Sequence, residues 1–254
     1  MNVQSIDGGS AFDFGRTSEM YAKYRDIYPP ELYEHLLALG AGKAGTRWLD
    51  LGTGTGVLPL KLYMYGAKVV GTDVSAQQID AAKAAAADKG ADIDFLVSPA
   101  ETLPFADDSF DCVTAAQCFW YFEREKAIAQ IRRVLRPGGV FIKVYLTYSL
   151  QDPIARRSYR LTKRLNPAWS SGSTGYRDVY NHPFPNGRVE VTDCDLPFTR
   201  ETWHGRMCAC RGTLASMDAQ TFALWDARHR KMLEKCPETF TVRHRLYIAS
   251  YSVE

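Results

Sequence analysis

Two periods run along this chain. Short apolar runs end at an acid, a serine or a glycine, and stretches with apolar residues every three or four positions follow them. The runs predict strands over 46–51, 67–73, 92–97, 110–115, 139–146 and 188–195. Helical periods fill the gaps at about 56–65, 76–89 and 124–135, with Ala81 to Ala87 an alanine-rich helical run. Ahead of them, Leu32, Leu36 and Leu39 line one face of a short helix from Glu31 to Leu39, started by Pro29-Pro30. Phe240 to Tyr251 alternates apolar and polar positions and reads as a last, antiparallel strand. Strands alternating with helices predict an α/β fold: a doubly wound seven-stranded sheet, mostly parallel, with helices on both faces.

The alternation breaks between about 147 and 187. This stretch carries Pro153, Pro167, Pro183 and Pro185, the pair Asn186-Gly187, and the small-residue tract Ser170 to Gly175. So long a structureless segment is unusual inside a compact domain. A cap insertion with one helix near 152–165, over the carboxyl ends of the strands, is the expected form. The tract Arg156 to Arg164 lies in that helix, either as a solvated basic face or as a source of arginines for an anionic ligand.

One segment dominates the chemistry. In Trp48-Leu49-Asp50-Leu51-Gly52-Thr53-Gly54-Thr55-Gly56 an apolar run ends in an acid and then in glycines at alternate positions. Glycine permits positive φ and leaves no Cβ in the way of a ligand. The following helix aims its free N–H groups into the turn. A dinucleotide fingerprint requires G-x-G-x-x-G, but Val57 stands where its third glycine belongs. Asp50 would repel a diphosphate and attract an ammonium group, while the helix N-terminus suits a carboxylate. An amino-acid moiety satisfies both, which points to S-adenosyl-L-methionine. Asp73 ends the next strand about 20 residues later, where a parallel sheet presents a carboxylate to ribose hydroxyls. Ser75 can cap the helix after it, and the loop Ser98-Pro99-Ala100-Glu101 can reach the adenine.

Five segments, in order, resemble the class I S-adenosylmethionine-dependent methyltransferases of the small-molecule type: 49–56, 71–75, 100–105, 109–113 and 135–140. The resemblance implies a Rossmann-like fold, S-adenosyl-L-methionine as cofactor, and methyl transfer to a small molecule by direct displacement. It is nearest to enzymes similar to trans-aconitate and ubiquinone-biosynthesis methyltransferases. Those carry a Q-x-x-H-W-F run where this chain has Gln117 to Phe122, with Trp120 and Tyr121 in place of His and Trp. The run Tyr21 to Pro29 resembles the family's lid, so residues 1–45 are expected as an N-terminal helical lid and 46–254 as the methyltransferase domain. The residues expected at the cofactor are Asp50, Gly52, Thr53, Gly54 and Gly56 in the turn, and Asp73, Val74, Ser75 and Gln78 after the second strand. Ala100, Glu101 and Gln117 join them from later loops, and Tyr21, Tyr24 and Arg25 from the lid.

For the acceptor, the resemblance puts a helix after the sixth strand, capped by Thr199 with Thr202 or Glu201 assisting. On it, Trp203, Arg206 or Met207, and Cys210 share one face, and His204, Cys208 and Arg211 the neighbouring one. His204 as base, Arg206 as anion holder and Tyr121 as pocket wall are the expected catalytic residues, with Trp120, Tyr145 and Trp169 as further walls or ordinary core. A carboxylate acceptor needs no base, whereas a phenol, amine or carbon acid would call on His204. His182, His229 and His244 read as structural.

Composition adds limits. The net charge of +2 over 254 residues gives no broad attraction to nucleic acid, and there is no Asn-Pro-Pro-Tyr-like tetrad of RNA methylation. No apolar run spans a bilayer, and the six cysteines show no C-x-x-C pairing, which implies reduced thiols, no metal and a cytoplasmic monomer or homodimer. Two other functions stay open: a non-catalytic S-adenosylmethionine-binding protein, and an enzyme using the same pocket for a different transfer. Asp73→Ala is expected to weaken S-adenosylmethionine binding in calorimetry by roughly tenfold or more; unchanged affinity would remove the ribose role.

Overall fold

The computed structural model of the protein describes residues 7–170 and 178–253. Its strands are β1 (Arg47–Leu51), β2 (Lys68–Asp73), β3 (Ile93–Val97), β4 (Phe110–Ala116), β5 (Leu135–Tyr148), β6 (Arg188–Thr199) and β7 (Thr239–Ser252). They form one seven-stranded sheet in the order β3-β2-β1-β4-β5-β7-β6. The strands from β3 to β5 pair in parallel. β7 runs against β5: Gly138 N donates to Val253 O and Ser149 N to Arg243 O, each at 2.8 Å, so one strand counts up as the other counts down. The cross-strand ion pairs Arg243–Asp195 and Arg245–Asp193 show the same antiparallel relation between β7 and β6. The expected doubly wound sheet with its antiparallel last strand is therefore present. Its order reverses between β1 and β4, the place where such sheets open a crevice at their carboxyl ends.

The helices are α1 (Ser18–Tyr24), α2 (Pro30–Ala38), α3 (Val57–Leu62), α4 (Ala76–Lys89), α5 (Arg124–Val134), α6 (Pro153–Leu165), α7 (Arg200–Cys208) and α8 (Ala219–Leu233). Local signals explain their ends. Ser75 Oγ accepts from Gln78 N at the start of α4, and Asp152 accepts from Ile154 N and Ala155 N ahead of Pro153 at the start of α6. Thr199 and Thr202 close a reciprocal capping box on α7.

Three features depart from the sequence pattern. α3 stops at Leu62 and tightens into a 3₁₀ turn over Tyr63–Tyr65, ending at Gly66 with φ +92°. β5 begins at Leu135 rather than at Gly139, and its register against β4 slips between Phe110 and Cys112. α8 occupies a stretch where periodicity predicted no element. Its buried positions are Trp225, His229 and Leu233, and a histidine in that stripe reads as polar. Of the small-residue tract Ser170 to Gly175, all but Ser170 lies outside the described residues.

Contacts group the chain into two compact units. Among the described residues, the larger comprises 28–145, 178–191 and 247–253. Its core sets Leu49, Leu51, Val113 and Phe141 of the sheet against Ala127, Ile131 and Val134 of α5. The smaller comprises 7–27, 146–170 and 192–246. Within it, the small polar residues Ser158 and Thr162 of α6 are buried and accept the indole N–H groups of Trp203 (3.0 Å) and Trp225 (2.9 Å). Arg156, Arg157, Arg160 and Arg164 face solvent on the other side of α6, so the basic tract is a solvated face. No helix among the described residues is long and apolar enough to cross a membrane.

In the larger unit, the segment from Asp178 is fastened to β5 by charge. Lys143 is fully buried, and its Nζ donates to Asp178 O (2.5 Å), Asn181 O (2.9 Å) and the Asp178 carboxylate (3.2 Å). Arg124 (3.0 Å) and the Tyr145 hydroxyl (2.6 Å) donate to the same carboxylate. Burial lowers the lysine pKa to about 8 in spite of this partner. Asp178→Ala, which strands a buried cation, should destabilise the protein by about 3–5 kcal/mol in urea unfolding. The double variant Lys143→Met/Asp178→Asn should recover most of that loss.

Candidate active site

The glycine turn is built as its residues require. Gly52, Gly54 and Gly56 hold φ of +59°, +57° and +77°. A Cβ at Gly52 would stand 2.8 Å from Cys118 Cβ and Sγ, and Cys118 Sγ in turn donates to Leu51 O at 3.1 Å. The Phe95 ring occupies the space that side chains at Gly56 and Gly71 would need, with Cβ positions 2.8 Å and 2.7 Å from it. Thr53 N donates to Thr72 O, and Gly54 N donates to the Asp73 carboxylate at 3.0 Å. Asp73 also accepts from Ser75 N (2.9 Å), so this carboxylate stitches the turn to the end of β2.

Asp50 is the electrostatic centre of this turn. It is 2% exposed, and one oxygen accepts from Thr53 Oγ1 (2.8 Å) while the other accepts from Thr114 Oγ1 (2.5 Å). Trp48 Nε1 donates to that same Thr114 hydroxyl at 2.9 Å. Burial raises the Asp50 pKa to about 6, against the pull of the two hydroxyls. Burial raises the Asp73 carboxyl as well, opposed by its backbone donors. Thr114 had no part in the sequence reading, although it lies opposite Asp50 in the parallel register of β1 and β4.

Other expected cofactor residues sit around these. Val74 is 48% exposed, an apolar face beside Asp73. Gln78 and Ala100 are buried, and Glu101 accepts from Glu123 N at 2.7 Å. Gln117, at the exit of β4, adopts φ +61° while its N–H donates to Val144 O. For a residue with a Cβ this left-handed conformation costs about 1–2 kcal/mol. Such outliers concentrate at functional sites. Next to it, Trp120 stacks on Tyr145 (4.9 Å between ring centres) and touches Tyr121 (5.3 Å).

The remaining expected residues belong to the smaller unit. Tyr24 donates to Glu201 (2.8 Å), and its ring fills the space a side chain at Gly205 would take. Arg25 lies over the Tyr21 ring. Both nitrogens of His204 are engaged, Nε2 with Asp226 Oδ1 and Nδ1 with His229 Nδ1, each at 2.8 Å. Trp169 is buried against Tyr159 in this unit's interior. Arg206 is only 3% exposed and lies over the rings of Tyr148 and Trp203. Its Nη1 reaches Cys210 Sγ (3.2 Å), and its Nε has no hydrogen-bond partner among the described residues. Among the described residues no carboxylate forms an ion pair with it, and burial lowers its pKa.

The sheet order and the glycine turn after β1 define the class I S-adenosylmethionine-dependent methyltransferase fold. Residues 49–143 match the family model described as a methyltransferase domain. An uncharacterized methyltransferase of Mycobacterium tuberculosis is 37% identical over 129 residues, covering 51% of this chain and 50% of the relative. The uncharacterized methyltransferase YcgJ of Bacillus subtilis is 31% identical over 143 residues, 56% of each protein. The chain thus spans about half the length of the curated relatives it matches. The YcgJ crystal structure superposes with a TM-score of 0.54 at 22% identity, covering 86% of this chain and 97% of YcgJ. The [4+2]-cyclase SpnF superposes with a TM-score of 0.58 at 18% identity, covering 96% and 99%. Likenesses this remote concern the fold alone, and a fold does not fix a reaction.

A buried carboxyl with a raised pKa costs stability once ionised. The native state holds this proton more tightly than the unfolded chain, whose aspartate titrates near 3.8. The cost therefore grows as pH rises from about 3.8 to 6 and is constant above. Asp50→Asn should melt higher than wild type at pH 8, by at most about 3 kcal/mol. The gain should vanish by pH 4; a gain equal at both pH values would assign it to packing instead.

Proposed function

We propose that this chain transfers the methyl group of S-adenosylmethionine to a small anionic acceptor, a carboxylate in the simplest case. The glycine turn supports cofactor binding. Its three positive-φ glycines leave bare backbone, and Asp50 keeps a charge that destabilises the empty fold and suits an ammonium group. Asp73 retains lone pairs for ribose hydroxyls beside its backbone donors, and exposed Val74 offers an apolar face to the purine. When bound, the cofactor supplies a methyl group already activated on a sulfonium.

Arg206 carries the acceptor assignment. An ionised guanidinium in the interior, over two aromatic rings and without a carboxylate, is costly unless an anion completes it. In this reading Arg206 pairs with the acceptor's anionic group and restricts its orientation. An ionised oxygen already has the lone pair for displacement, so no side chain has to remove a proton. Trp120 and Tyr121 exclude water at the exit of β4, and Gln117 turns its backbone there. His204 has no part in this chemistry, because both of its nitrogens are held inside the smaller unit.

The test has two stages. Titration calorimetry with S-adenosylmethionine and S-adenosylhomocysteine should show binding that Asp50→Ala weakens at least tenfold. A panel of small carboxylic acids should then release S-adenosylhomocysteine, with Arg206→Met raising KM about 10–100-fold, the equivalent of one charged hydrogen bond, and leaving cofactor affinity unchanged. Absence of cofactor binding would end the reading. Binding without transfer to any acceptor would leave a cofactor-binding protein or a different reaction.

A further inference from the structure

The smaller unit holds a cluster of titratable side chains that methyl transfer does not use. His204 and Cys208 stand one turn apart on α7, and Asp226 projects from α8. His204 Nε2 lies 2.8 Å from Asp226 Oδ1 and 3.4 Å from Cys208 Sγ, and the three donor atoms all fall within 4.8 Å of one another. We propose that His204, Cys208 and Asp226 bind a divalent transition-metal ion, zinc by the chemistry of the donors, which clasps α7 to α8. This proposal is independent of the methyl-transfer reading.

The geometry is close to what zinc requires. Tetrahedral bonds of about 2.0–2.3 Å set ligand atoms roughly 3.3–3.7 Å apart. The imidazole–thiol distance already matches, and the imidazole–carboxylate distance has to open by about half an ångström. One nitrogen, one sulfur and one oxygen form a mixed set that suits zinc and not magnesium or calcium, which take oxygen alone.

Charge favours the same ion. On binding, Cys208 gives its proton to solvent and its sulfur lone pair to the metal. Thiolate and carboxylate then cancel the ionic charge while His204 stays neutral. A neutral centre is what this place allows, since His204 is 3% and Cys208 1% exposed. Asp226 is 31% exposed, which leaves a path for the ion and a water for the fourth position. Arg230 Nε holds the other oxygen of Asp226 at 3.0 Å and leaves Oδ1 for the metal.

The surrounding hydrogen bonds already fit a metal-bound imidazole. His204 Nδ1 faces His229 Nδ1 at 2.8 Å, so one of the two must donate. With Nε2 on the ion, His204 Nδ1–H donates to His229, and His229 Nε2–H donates to Ser158 Oγ at 2.9 Å. Ser158 passes its own proton to Ile154 O at 3.1 Å. Ligating histidines are held in this manner, their other ring N–H donated to a fixed acceptor. In the competing arrangement, His204 Nε2–H donates to Asp226 and the chain of donors runs backwards from Ser158. That network has no need of a cysteine at 208, whereas the metal site does.

The protein, freed of metal with a chelator, should take up one equivalent of Co²⁺ with a thiolate-to-cobalt charge-transfer band and tetrahedral d–d bands. Zn²⁺ should displace the cobalt and raise the melting temperature. Cys208→Ser should abolish the band, and Asp226→Asn, at a partly exposed position, should weaken zinc binding at least tenfold while retaining the native circular dichroism. Cys236→Ser should behave as wild type. No stoichiometric uptake, or a band that survives in Cys208→Ser, would overturn the site and leave a hydrogen-bond network.

Discussion

The glycine turn depends on one buried carboxylate. Asp50 is held between two threonine hydroxyls, one from its own turn and one from the neighbouring strand β4, and Trp48 fixes the second. Those bonds set where the β1 backbone stops, and hence where the positive-φ glycines of the turn begin. The hydroxyls do not offset its desolvation, so the carboxyl titrates near 6. A side chain that weakens the empty fold and remains charged at neutral pH is understandable where a cation is to be bound. Asp73 works differently: its oxygens accept backbone N–H groups, so it shapes the loop as well as facing it.

The smaller unit repeats the theme with other chemistry. Its interior is not purely apolar; Ser158, Thr162, His204, Arg206, His229 and His244 are all buried there. Most are satisfied in pairs, hydroxyl to indole or imidazole to carboxylate. Arg206 is the exception in charge, because aromatic faces and a thiol surround it. A domain core gains nothing from such polar groups through area alone. Arg206 and the cluster around His204 are the groups among them that the two proposals above would have a ligand complete.

What was legible in the sequence follows from periodicity. The strands β1 to β4, the helices α4 and α6 and the capping box at Thr199 came from local rules, and local rules decide them. The glycine turn was legible because positive φ and close approach need glycine whatever the rest of the chain does. Thr114, Lys143, Asp178 and Asp226 were not legible, since each acquires its role from a partner distant in sequence. Lys143 carried a faint signal, a lone charge inside the apolar run from Phe141 to Tyr145. α8 was hidden because its buried stripe includes His229. His204 and Cys208 could be placed on adjoining faces of one helix, but the third member of their cluster lay on a helix that the pattern did not reveal.

The ring of Phe95 has a consequence for how this sequence can drift. It fills the volume that β-carbons at Gly56 and Gly71 would otherwise claim, so three positions on three separate elements share one packing space. None can change freely while the other two stand. An alanine at position 71 becomes tolerable only after the ring has shrunk, and a shrunken ring leaves a void until a glycine grows. At Gly56 the backbone conformation adds its own veto. These positions are therefore expected to vary together among descendants of this chain, with the order of replacement set by sterics.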